Sequence, residues 1–123
     1  MSDQKSEKTF SVLVERIKSF RDARDWDQFH TLKDLSAALA IEAAELQEIM
    51  LWSSNEQIQE KSSEIEFKQK IQEECADVLN YLILISLRLD FDLVEAANKK
   101  IDKNEIKYPV DKAKGSSKKY NQL

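Results

Sequence analysis

Phe10, Leu13, Val14, Ile17 and Phe20 recur at spacings of three and four, the period of one helix face, so an amphipathic helix is predicted from Phe10 to Arg24. The segment "RDARDWDQFH", Arg21 to His30, is polar with interleaved aromatics and reads as a helix end and loop. Thr31 with Asp34 three residues on has the pattern of a helix N-terminus, and a second helix is expected from about Leu32 to Trp52, stopped by Ser53-Ser54-Asn55. For the polar stretch Glu56 to Glu66, a short helix and a mobile connection both stay open. A third helix follows from about Phe67 to Leu89, and Asp90-Phe91-Asp92 turns the chain. A fourth runs from about Leu93 to Lys107 and ends before Pro109, which disfavours helix in the residue ahead of it. The last stretch, "DKAKGSSKKYNQL", is expected to be irregular.

Two acids interrupt this pattern. At about 100° per residue, Leu35, Leu39, Leu46 and Ile49 form one stripe of the second helix, with Glu42 in its middle and Glu45 at its edge. A carboxylate on a core-facing stripe is costly unless something pairs with it or coordinates it. On the third helix Glu74, Asp77 and Tyr81 fall within roughly 60° of one face. Packed antiparallel, the two helices would bring Glu42, Glu45, Glu74 and Asp77 to one place, where they repel one another unless a divalent cation lies among them. Oxygen ligands without His or Cys suit Mg²⁺ or Mn²⁺ rather than zinc. Such a site is a usual setting for metal-assisted hydrolysis of a phosphoanhydride. Two bland readings stand beside this one: acid pairs on a solvated helix face, and a salt bridge from Glu42 to a lysine across an oligomer interface.

Composition narrows the choice. One Gly and one Pro in 123 residues leave few places to turn, and a single all-α domain is expected. The lone Cys75 cannot form an internal disulfide, and the longest apolar run, Val78 to Leu89, is too short for a bilayer and contains Asn80 and Arg88. A soluble cytoplasmic protein with no membrane partner is the expectation. The net charge of −4 is uneven, because residues 99 to 119 carry eight lysines against Asp102, Glu105 and Asp111. An acidic body with a basic arm lacks the broad basic face of a nucleic-acid binder. It suits a small polyanion held between metal-loaded acids and lysines.

The spacing Glu42-x-x-Glu45, 28 intervening residues, then Glu74-x-x-Asp77 resembles the signature of the MazG-like, all-α nucleoside triphosphate pyrophosphohydrolases. "RDWDQFHTLKDL", "EAAEL", "LW", "EECADVLNYL" and "DKNEIKYPVDKAKGSSKKY" are similar, segment by segment, to the dCTP pyrophosphatase branch. The resemblance covers about residues 10 to 120. It implies a four-helix MazG-like bundle at 1–110 with a basic tail at 111–123, assembled as a homodimer or homotetramer. It further implies cleavage between the α and β phosphates of a nucleoside triphosphate, dCTP or a related one, as nucleotide-pool house-cleaning. Mg²⁺ would be held by Glu42, Glu45, Glu74 and Asp77, with Glu42 or Glu45 taking the proton of the attacking water. Trp26, His30, Trp52 and Tyr81 would meet the base, Lys100, Asn104, Lys107 and Tyr108 the phosphates, and the basic tail would lie over a neighbouring subunit's site.

From the residues alone, Trp26 and Trp52 are base-stacking candidates or core and interface anchors, and His30 contacts a base or sugar or bonds nearby backbone. Cys75 is expected as a buried small hydrophobe without chemistry. No nucleophile and base constellation is present. Apolar residues occur nearly all round "VLNYLILISLRL", and Ala37, Ala40, Ala43 and Ala44 lie opposite the leucine stripe. Helices apolar on every side need burial on every side, so an obligate oligomer is expected. The rival reading is a non-catalytic oligomeric helical module whose acid pairs fix helix register.

Overall fold

The computed structural model describes residues 9–123. Among them no strand occurs, and six α-helices follow one another: α1 Phe10–Ala23, α2 Leu32–Met50, α3 Asn55–Lys61, α4 Ile65–Leu89, α5 Leu93–Lys107 and α6 Val110–Ala113. The all-α expectation holds. Four short elements supplement the four anticipated long helices: α3, α6 and 3₁₀ turns at Asp27–Phe29 and Tyr120–Gln122. The polar stretch after α2 resolves into α3, begun by a full capping box between Ser54 and Gln57. The supposedly irregular C-terminal stretch contains α6 and a 3₁₀ turn at Tyr120–Gln122.

Local chemistry sets the boundaries. The Thr31 hydroxyl accepts from the Asp34 N–H at 3.2 Å, the cap expected from sequence, and Asp92 does the same for the Glu95 N–H at 3.0 Å. α2 ends two residues sooner than predicted, because Leu51 turns extended and Trp52 enters the left-handed region at φ 67°. Asp90, at φ 54°, closes α4 as a left-handed cap.

The chain divides into two compact units, one ending at Asp90 and the other running from Phe91 to Leu123. In the first, α4 is the central element, with α2 packed along it and α1 packed on it more lightly. The core is small: Ile17 of α1, Leu35 of α2, and Ile83 and Leu84 of α4 are the buried hydrophobics. Ser86, also buried, satisfies its hydroxyl by donating to the Ile83 carbonyl at 2.7 Å, so it costs the core little. Around that core Leu39, Leu46, Ile49, Val78, Leu79, Leu82 and Ile85 are only half-buried.

The loop between α1 and α2 is pinned electrostatically. Asp27 receives Arg21 of α1 at 3.3 Å and Arg88 of α4 at 3.5 Å, and the Trp26 N–H donates to the Arg21 carbonyl at 3.1 Å. Trp26 thereby reaches the edge of Phe20, ring centroids 5.7 Å apart. In the second unit, Tyr120 packs edge-on against Tyr108 at 6.2 Å and under the Lys107 ammonium at 4.8 Å. Among the described residues, no helix is long and apolar enough to cross a membrane.

Cys75 corrects a sequence expectation, because it is exposed rather than buried. It lies one residue, about 100°, round α4 from Glu74, which carries it off the face that meets α2. Its helical neighbours Ile71, Val78 and Leu82 are half-buried.

Candidate active site

The leucine stripe of α2 carries the first acid pair to α4. Leu35 is 2% exposed and seats the helix, and Glu42, two turns on along the same stripe, arrives half-buried. Trp26 and His30, just ahead of α2, border a cavity with Asp77 to Leu84 of α4, whereas Glu48 and Ile49 at the far end of α2 meet Glu74. The two helices therefore run antiparallel, and their acids meet midway.

Glu42, Glu45 and Glu74 each place one carboxylate oxygen within 4.8 Å of the others. Asp77 lies one turn along α4 from Glu74, and its charge acts on both Glu42 and Glu74. Partial burial, and after it the adjacent Glu45 and the charge of Asp77, push the Glu42 carboxyl up to about 7. Partial burial also raises Glu74, the charges of Glu45 and Asp77 adding to it while the Glu42 carboxyl pulls the other way. Without a cation the cluster thus retains protons near neutrality, as crowded carboxylates do.

One oxygen of each half-buried acid, Glu42 Oε2 and Glu74 Oε2, is buried with no hydrogen-bond partner. Buried carboxylate oxygens without donors are costly, and a hard divalent cation would satisfy both. The donor set is all oxygen, which fits such an ion. The residues present fit the metal that the resemblance implies.

Beside the acids lies a cavity of about 410 Å³ between α1, the loop and α4. Trp26, His30, Asp77 and Tyr81, singled out from sequence, all line it. Trp26 and His30 stand 6.4 Å apart between ring centroids, and His30 Nδ1 is buried without a partner. Arg16, Phe20 and Asn80 also line the cavity and were not picked out from sequence. Their contribution depends on α1 lying against α4, which no local pattern announces.

Trp52 is 93% exposed and is not among the residues lining the cavity. Lys100, Asn104, Lys107 and Tyr108 belong to the second unit, where Asn104 and Tyr108 are half-buried and the two lysines exposed. Lys100, Asn104 and Lys107 follow the i, i+4, i+7 spacing of one face of α5.

Comparisons with known proteins agree with this architecture. The model of the MazG-like family matches residues 37–123. The chain is 38% identical to dCTP pyrophosphatase 1 of Rattus norvegicus over 85% of its own length and 61% of that relative's. It is 35% identical to dCTP pyrophosphatase 1 of Bos taurus over 96% of its own length and 70% of the relative's. It therefore spans about three fifths of the rat relative. The crystal structure of a pyrophosphatase from Archaeoglobus fulgidus superposes with a TM-score of 0.75 at 38% identity, covering 80% of this chain and 91% of that one.

Proposed function

We propose, from the premise that this chain belongs to the MazG-like family, that it is a nucleoside triphosphate pyrophosphohydrolase acting between the α and β phosphates. Its substrate is dCTP or a closely related nucleotide, and its products are the monophosphate and pyrophosphate. The observation that carries this reading is the trio of carboxylates converging within 4.8 Å, two of them with an unsatisfied buried oxygen, beside a cavity lined by aromatic rings. The relatives' names supply the substrate class: those relatives are dCTP pyrophosphatases.

Glu42, Glu45, Glu74 and Asp77 would hold Mg²⁺, or Mn²⁺ in its place. When bound, such an ion offsets the negative charge of the triphosphate and of the departing pyrophosphate. The protein's own part is to orient and to move a proton. Trp26, His30 and Tyr81 hold the base in the cavity, its faces against the rings. By resemblance, Lys100, Asn104, Lys107 and Tyr108 are the phosphate-binding candidates and Trp52 a stacking candidate. Glu42 or Glu45 accepts the proton of the water that attacks the α phosphorus.

The active form is an oligomer of this chain, a dimer or tetramer. Supporting it, Ala37, Ala40, Ala43 and Ala44 are all exposed, and Ile41 between them is 59% exposed. This is an apolar, uncharged strip of small residues against which a second copy can approach closely. The decisive experiment is a panel of nucleoside triphosphates incubated with Mg²⁺ and read by phosphorus NMR. Monophosphate plus pyrophosphate, fastest from dCTP, is expected; diphosphate plus phosphate, or no turnover, would overturn the assignment.

A further inference from the structure

The cavity beside the acids is lined by apolar and aromatic residues together with Arg16, Arg21, His30 and Asp77, and one further lining residue is a carboxamide. Asn80 follows Asp77 by three residues and precedes Leu84 by four, so it shares the face of α4 that fronts the cavity together with Tyr81. It is half-buried in the apolar run of the central helix. Among the described residues, the Asn80 side chain makes no hydrogen bond, whereas Ser86, six residues along the same helix, satisfies its own on the Ile83 carbonyl. An amide carries a donor and an acceptor side by side, and here neither is committed to a described protein group. Such a group in the wall of a ligand cavity is suited to orienting the ligand and selecting it.

We propose that Asn80 is a specificity-determining residue that reads the hydrogen-bonding edge of cytosine, its Oδ1 accepting from the exocyclic 4-amino group and its Nδ2 donating to the ring nitrogen N3. This rests on the reading above that the cavity receives the base. The same side-by-side match underlies the pairing of Asn with an amino group and ring nitrogen in nucleic-acid recognition. A site built to bond a polar group rejects the analogue that lacks it, because its own polar atoms are then stranded. The rings of Trp26 and Tyr81 offer stacking to any base, so the edge is where discrimination is possible. His30, whose Nδ1 is buried and unpartnered, supplies a further polar handle but only a single bond from that atom.

The test pairs a change in the protein with a change in the base. The analogue is 2-pyrimidinone deoxyriboside, which keeps cytosine's ring and lacks only the 4-amino group, used both as nucleoside and as triphosphate. The wild type should prefer the cytosine compound by about tenfold to a hundredfold, the range of one good bidentate pair. In Asn80→Leu and in Asn80→Ala, each checked for its helical circular dichroism, that preference should fall to near one. The ratio of kcat/KM values is one readout. The other is nucleoside binding without metal, followed by tryptophan fluorescence, which needs no catalysis. Absence of hydrolysis with every triphosphate would sink the proposed activity yet leave the binding arm to decide on Asn80. A folded variant that keeps the wild-type preference, or a wild type with none, would overturn the role of Asn80.

Discussion

Glu42 of α2 and Glu74 of α4 face each other from helices that are far apart in sequence, and each leaves its Oε2 buried without a hydrogen-bond partner. Their carboxylates lie within 4.8 Å of each other and of Glu45. The fold thus holds like charges together at a place where it gives them no donor. That arrangement destabilises the metal-free protein and is relieved by a proton or a cation.

The first consequence is a pH dependence. Unfolded, Glu42 titrates near its ordinary 4.5; folded, it is pushed up to about 7. Between those values the unfolded chain has released a proton that the folded chain still holds, so stability falls as pH rises through the window and levels off above it. Glu74 is shifted in the same direction and adds to the effect. In EDTA, the melting temperature of Glu42→Gln should therefore gain on that of the wild type from pH 5 to pH 7. A gap independent of pH would show that Glu42 titrates normally.

Added Mg²⁺ should reverse the penalty. A ligand bound only by the folded state stabilises it in proportion to the logarithm of its excess over Kd, so the wild-type melting temperature at pH 7.5 should climb with Mg²⁺ concentration. Asp77→Asn should flatten that climb and abolish hydrolysis, while in EDTA it melts no lower than the wild type, having lost a repelling charge. Near wild-type turnover of Asp77→Asn at saturating Mg²⁺ would remove Asp77 from the site. A large drop in its metal-free melting temperature would instead favour a structural salt bridge.

Trp52 separates stability from function. A tryptophan held at φ 67° and 93% exposed strains the backbone and gains little packing among the described residues. Trp52→Gly relieves the strain, and a stabilisation of up to about 1 kcal/mol is expected, offset in part by the greater freedom of unfolded glycine. If the ring stacks on the substrate, the same variant should raise KM severalfold. A variant destabilised by more than 1 kcal/mol, with KM unchanged, would assign Trp52 to an interface instead.

The alanine strip of α2 makes a prediction about assembly. Ala40→Arg places a long cation on a surface that, in the single chain, is already exposed, so an isolated chain should tolerate it. Sedimentation velocity at micromolar concentration should find the wild type as a dimer or tetramer and Ala40→Arg dissociated or unfolded. A folded, active wild-type monomer of 14.3 kDa would refute the oligomer.

Much of this protein was legible in its residues one helix at a time. The period of three and four, the cap at Thr31, the turn at Asp90-Phe91-Asp92 and the stop before Pro109 are local signals, and they located the long helices to within two residues. The misfit of Glu42 on a leucine stripe was legible for the same reason: it is a conflict between one side chain and its own helix face. What a single helix does not encode is which other helix covers each face. The antiparallel seating of α2 on α4, which brings Glu42 to Glu74, was an assumption in sequence and is decided by packing around Leu35, Ile83 and Leu84. The cavity that gathers Arg16, Phe20, Asn80 and Tyr81 exists only once α1 lies on α4 and Asp27 bridges Arg21 to Arg88. Cys75 was misjudged because apolar neighbours along a helix do not say how far round it the covering helix reaches. Periodicity determines a face, whereas burial depends on contacts between residues distant in the chain, and only the tertiary structure sets those.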